Sequence, residues 1–126
     1  MSSKFGDFAT EKRKAKHISL RKMADLLDIS PAYWSDIEKA RRYPPNINKI
    51  GEIAKILGLT PEEIDYTIDL ASEDRNEIPM DLPEYIKENS LAKVALRKAR
   101  KCESEGKCDI TQKAWTQFIK ALDQKE

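Results

Sequence analysis

Residues Ser19 to Arg42 read SLRKMADLLDISPAYWSDIEKARR, and this stretch decides the fold. It describes two short helices joined by a tight turn. Ser19 is placed to cap the first helix, its hydroxyl accepting from an amide of the opening turn. Leu20, Met23, Ala24 and Leu27 then recur at helical spacing. Asp28 falls where the chain must reverse, and Asp tolerates left-handed backbone better than most residues. Ser30 caps a second helix with Pro31 at its first position, where a missing amide hydrogen does no harm. Trp34 and Ile37 supply the inward face of that second helix.

Such a pair is either an ordinary helical hairpin of an all-α domain or a unit that lays its second helix in a DNA major groove. Ser19, Met23-Ala24, Leu27, Ile29-Ser30, Ile37-Glu38 and Arg41-Arg42 before Pro45 favour the second reading. With these residues in order, the stretch resembles the helix-turn-helix of phage-repressor-type (XRE-like) transcriptional regulators. The resemblance extends from about Phe5 to about Leu70. It implies a five-helix repressor-like domain; four Gly and no strand-like alternation argue for an all-α fold, and the residues beyond the domain read as a short helical C-terminal appendage.

Upstream, Phe5, Phe8 and Ala9 begin a helix running to about Lys16, with Lys12, Arg13, Lys14 and Lys16 on its other faces. That cluster is either a solvated face or a set of phosphate contacts beside the groove. The resemblance implies an ion pair between Arg13 and Glu38, holding Arg13 against the recognition helix and aiming it at the DNA backbone. Two positions depart from the family pattern. Leu20 stands where a polar residue, commonly glutamine, often meets a phosphate. Ala40 stands where glycine is common, and alanine at positive φ costs about 1 kcal/mol, so the turn must adapt or the helix must run on.

Downstream, Tyr43-Pro44-Pro45 forces extended backbone. Asn46 caps a helix with Ile47, Ile50, Ile53, Ala54 and Leu57 as its stripe and Gly58 as its end. Thr60-Pro61-Glu62-Glu63 is a capping box opening a fifth helix with Ile64, Ile68 and Ala71. The polar run from Ser72 to Asp81 reads as a connector, which divides the chain into residues 1–76 and 77–126. In the second part Pro83 starts a short helix and Ser90 caps another. Asp109-Ile110-Thr111-Gln112 resembles a capping box for a last helix, with Trp115, Phe118, Ile119 and Leu122 at helical spacing. About fifty residues bury little surface alone. The apolar face must pack within the chain or on a second subunit, and a C-terminal dimerisation surface on Trp115, Phe118, Ile119 and Leu122 is the favoured expectation.

Charge is uneven along the chain. The whole carries +1, but residues 1–45 carry ten Lys/Arg against six Asp/Glu, residues 46–90 four against eleven, and residues 91–126 nine against five. A near-neutral total does not exclude nucleic acid, because the binding field is local, and the basic first block contains the helix pair. Charged residues are 36% and aromatics 7%, so the core must be mostly aliphatic. No membrane-span pattern or signal-peptide pattern is present, which points to a cytoplasmic protein without a membrane partner. Cys102 and Cys108 are expected as thiols, with a redox-switch disulfide across their loop as the alternative. One histidine, His17, is too few for an ordinary zinc site, so neither metal nor cofactor is expected.

The sequence therefore predicts a sequence-specific, double-stranded DNA-binding transcriptional regulator: a repressor acting as a homodimer on a palindromic operator. Base readout falls to Pro31, Ala32, Tyr33, Ser35 and Asp36, and phosphate contact to Arg13, Arg21, Lys39, Arg41 and Arg42. The alternative is an antitoxin or adaptor whose C-terminal region binds a partner protein, such as a toxin or a protease, with DNA binding for autoregulation. No Gly-rich phosphate loop, metal cluster or nucleophile with its base is present to suggest an enzyme.

Overall fold

A computed structural model describes residues 4–124. The described residues form eight α-helices and no strand: α1 (Lys4–Ala15), α2 (Leu20–Leu27), α3 (Pro31–Glu38), α4 (Ile47–Leu57), α5 (Pro61–Asp74), α6 (Pro83–Glu88), α7 (Ser90–Ser104) and α8 (Cys108–Asp123). The fold is all-α.

Local chemistry sets most of the boundaries. Side-chain oxygens of Ser19, Ser30, Asn46 and Thr60 accept from the amides of Lys22, Tyr33, Lys49 and Glu63, so each of α2 to α5 opens on a satisfied cap. Thr60 and Glu63 complete a reciprocal capping box. Helix ends share one closure as well. A residue at positive φ ends the helix, and the next amide reaches back five residues to a carbonyl. Asp28 (φ 57°) passes Ile29 N–H to the Ala24 carbonyl, and Gly58 (φ 63°) passes Leu59 N–H to that of Ala54. Ala40 adopts φ 62° in the same role, with Arg41 N–H donating to the Asp36 carbonyl. The turn after α3 therefore keeps the left-handed geometry that glycine would accept freely, with a Cβ in place. His17 is used likewise at the end of α1, exposed and at φ 57°.

Two compact units divide after Pro83. The first contains α1 to α5. Its core draws Phe5 and Ala9 from α1, Met23 and Leu27 from α2, Trp34 and Ile37 from α3, Ile50 and Ile53 from α4, and Ile68, Leu70 and Ala71 from α5. Its outer helices meet at their far ends. Phe5 N–H donates to Asp74 Oδ2 at 3.1 Å, and Lys4 pairs with Glu73 at 2.7 Å. In the middle Lys12 of α1 pairs with Glu63 of α5. The hydrogen bond from Lys12, with a second from the Thr60 amide, holds the Glu63 carboxyl below the usual carboxylate range. Glu73 raises the Lys4 ammonium above its ordinary value, chiefly by hydrogen bonding.

The division lies later than the boundary drawn after residue 76. Ser72, Glu73 and Asp74, expected in the connector, continue α5, because Leu70, Ala71 and Ser72 are buried and the Ser72 hydroxyl donates to the Ile68 carbonyl. Met80 stays with the first unit: it packs on the core, and its N–H donates to Ser72 Oγ.

In the second unit α7 and α8 pack on each other across a turn at Gly106. Two caps differ from expectation. Asn89, rather than Ser90, caps α7, its oxygen accepting from Ala92 N–H. The Asp109 capping box does not form. Helix α8 begins two residues earlier than that cap would set it, at Cys108, with no side-chain cap.

Candidate nucleic-acid interface

The turn at Asp28 sets α3 against α2 so that α3 keeps one face inside and one outside. Trp34 and Ile37 are buried, as is Glu38. The opposite side carries every residue expected to read bases. Ala32 and Tyr33 are exposed, and Pro31, Ser35 and Asp36 are half-buried. Trp34 Nε1 is buried with no hydrogen-bond partner, so its ring serves the core at the expense of one stranded donor.

Arg13 and Glu38 are each about 7% exposed. Arg13 Nε donates to Glu38 Oε2 at 2.7 Å and Nη2 to Oε1 at 3.0 Å, while Nη1 donates to the Ile18 carbonyl at 2.9 Å. This is a two-pronged pair of the kind a planar fork and a carboxylate form best. It ties α1 to the end of α3 and to the residue that leads into α2. Three of the five N–H groups of Arg13 are thereby given to protein acceptors, and the pair holds α3 to α1. Arg21 on α2 and Lys39, Arg41 and Arg42 after α3 all stand exposed. Lys12, from the basic cluster of α1, is turned to Glu63 and lies over the Phe8 ring.

Asp36 does not stand alone on its face. Arg41 Nη1 lies 3.7 Å from its Oδ1 and Arg42 Nε 3.9 Å from its Oδ2. The Arg42 guanidinium also lies 4.8 Å from the centre of the Tyr33 ring. Beyond it, the strap through Pro44 is held by a residue that the sequence reading passed over. Arg75, at the end of α5, donates from Nε and Nη2 to the Pro44 carbonyl at 3.2 and 2.6 Å, and its guanidinium lies 5.5 Å from the Tyr43 ring. Tyr33, Arg42, Tyr43, Pro44 and Arg75 line one groove beside α3. The signal for Arg75 was faint. An extended Tyr-Pro-Pro strap leaves carbonyls in need of donors, but nothing local says which cation supplies one.

In the second unit Trp115 is half-buried and its ring meets that of Phe118 edge-on at 6.3 Å, while Phe118, Ile119 and Leu122 are exposed. Cys102 and Cys108 are free thiols. Among the described residues no group of His, Cys, Asp and Glu is arranged to hold a metal ion, and no helix is long and apolar enough to cross a membrane.

A capped helix, a left-handed turn at Asp28 and a second capped helix with an outward polar face define a helix-turn-helix domain, a DNA-binding class of fold. Residues 10–64 match the family model described as helix-turn-helix. The ImmF control region 10 kDa protein of Bacillus phage phi105 is 39% identical over 56 residues, which is 44% of this chain. The match spans 61% of that relative's own length. No solved structure matches the chain significantly.

Proposed function

We propose that this protein is a double-stranded DNA-binding transcriptional regulator, a repressor that occupies a palindromic operator as a homodimer. The observation that carries this reading is the outward face of α3, with its four exposed flanking cations. The start of a recognition helix points into the major groove. Ala32 and Tyr33, with Pro31, Ser35 and Asp36 at their margin, meet base edges there, while Arg21, Lys39, Arg41 and Arg42 bring positive charge to the DNA. The buried Arg13–Glu38 pair fixes the angle at which α3 leaves the domain. The phage relative is by its name a protein of a control region, in keeping with this reading.

The dimer is assigned to the second unit. Helices α7 and α8 leave Phe118, Ile119 and Leu122 in solvent, and two such hairpins make a four-helix bundle about a two-fold axis. That symmetry is the one a palindromic operator asks for. A partner protein in place of the second copy would turn the chain towards the antitoxin or adaptor reading.

Selection of bound duplexes from a random library tests the function, and sedimentation of the full chain tests the assembly. A two-fold symmetric site is expected, with log K falling by about 0.9 per phosphate neutralised for each unit of log salt. No enriched duplex, or a flat salt response, defeats the DNA reading. A full chain that stays monomeric at tens of micromolar defeats the dimer.

A further inference from the structure

Within that DNA-binding reading, we propose that Arg42 is the side chain that reads a guanine, and that Tyr33 and Asp36 serve the DNA by holding it. Arg42 lies beyond the end of α3 in sequence, which suggests a backbone contact. Its guanidinium is nevertheless carried back over the Tyr33 ring, 4.8 Å from the ring centre. Tyr33 is the third residue of α3, in the part of a recognition helix that enters the groove. Stacking places the fork at that end of the helix.

Arg41 makes the contrast. It shares the Asp36 carboxylate, at 3.7 Å, but is more exposed than Arg42, with 67% of its side chain accessible against 56%. It has no aromatic ring beneath it among the described contacts. A cation of that kind suits a phosphate. The Arg42 guanidinium lies over a ring, and its side chain is 56% accessible. At 3.9 Å, Arg42 Nε and Asp36 form an ion pair rather than a hydrogen bond, so the donors of the fork remain uncommitted. Guanine presents O6 and N7 on one edge of the major groove, and two parallel N–H donors of an arginine match them. The carboxylate also finds a reason for its place. Alone it would be repelled by phosphate. Beside two guanidinium groups it neutralises one and keeps its orientation.

The direct alternative is that Asp36 itself accepts from cytosine N4, and the two cases fall on the same base pair. 7-Deazaguanine separates them, because it removes the N7 acceptor and leaves cytosine N4 intact. The full chain would be titrated with duplexes of the selected operator carrying 7-deazaguanine at one position at a time. For the unaltered protein, one guanine per half-site is expected to be sensitive, with affinity falling about 5- to 150-fold. Arg42→Leu, which removes every donor of the side chain, should bind the normal and substituted duplexes alike, and Tyr33→Leu should lose most of the difference. Arg41→Lys should retain it. A wild-type scan with no sensitive guanine overturns the inference without any variant, and leaves DNA binding standing. So does a sensitive guanine that Arg42→Leu still distinguishes, or a preference erased by Asp36→Asn while 7-deazaguanine is silent. A selection that enriches no duplex overturns both the inference and the reading beneath it.

Discussion

Trp34 and Trp115 belong to two different kinds of helix packing. Trp34 on α3 is wholly buried in a core to which α1, α2, α4 and α5 also contribute. Trp115 on α8 is half-buried and has for neighbours Phe118, 54% exposed, and Leu122, 67% exposed. On α7, Leu91 is 82% exposed. Across the first unit fourteen apolar residues are buried, and among its cations only Arg13, paired with Glu38, is buried among the described residues. Among the described residues of the second unit only Thr111 is buried, and its hydroxyl lacks a partner. Helical periodicity is equally good in both, so periodicity identifies an apolar face without naming what lies against it. Five helices enclose a volume and two do not.

The comparison is tested most severely at its two aromatic residues. Trp34→Ala should lower the stability of the first unit by about 3–5 kcal/mol, read by denaturant unfolding. Phe118→Ala should leave that unfolding transition in place and weaken self-association in sedimentation. Equal losses of fold from both substitutions would mean that α8 shares the first core.

Next comes the buried ion pair. Arg13→Ala strands Glu38 in a nearly dry site and should cost about 3–5 kcal/mol. Lys4→Ala, at a pair exposed on both sides, should change stability hardly at all. A double-mutant cycle on Arg13 and Glu38 should return strong coupling, and additive losses would refute it.

A smaller and opposite effect is expected at the turn after α3. Ala40→Gly relieves a Cβ held at φ 62° and should stabilise the domain by about 1 kcal/mol in thermal unfolding. Loss of stability would mean that the alanine methyl contributes packing that outweighs the strain.

The smallest effect is in pH dependence. Glu63 has its pKa lowered in the fold, so it binds protons more readily when unfolded. Its contribution is present above the unfolded value and is lost as pH falls through the folded one. Glu63→Gln should therefore melt with a shallower decline than the wild type between neutral pH and about pH 3. Parallel declines would show that the Lys12–Glu63 contact adds nothing in solution.

What was legible in the sequence was mostly local. Ser19, Ser30, Asn46 and Thr60 act within three residues of themselves, and Asp28 and Gly58 act within one turn, so composition is enough to place them. The Arg13–Glu38 pair, separated by twenty-five positions, was legible only through the family resemblance. Where tertiary contacts decide, local signals misled. Ser72 to Asp74 look like a linker, yet they are helical because Phe5 N–H finds Asp74 and the Ser72 side chain is enclosed. Asp109 has cap chemistry that goes unused, and helix α8 starts at Cys108. The face of α3 could be named in advance. That Tyr33 and Asp36 share Arg42 depends on how the chain doubles back after Ala40, which no spacing rule states.

The bond between Phe5 and Asp74 bears on where the domain ends as a folding unit. The recognisable family segment, residues 10–64, stops short of both partners, and leaves out Phe5, Ile68, Leu70 and Ala71 from the core. Ancestry and cooperativity thus have different borders here. A fragment cut at the limits of similarity would carry the whole reading head with its enclosure open at both sides, while one cut after Pro83 would keep the ring closed. Because that bond closes the start of α1 upon the end of α5, those two helix ends lie side by side. Such a unit tolerates circular permutation and accepts insertion into a loop of another protein with only a short tether at each end.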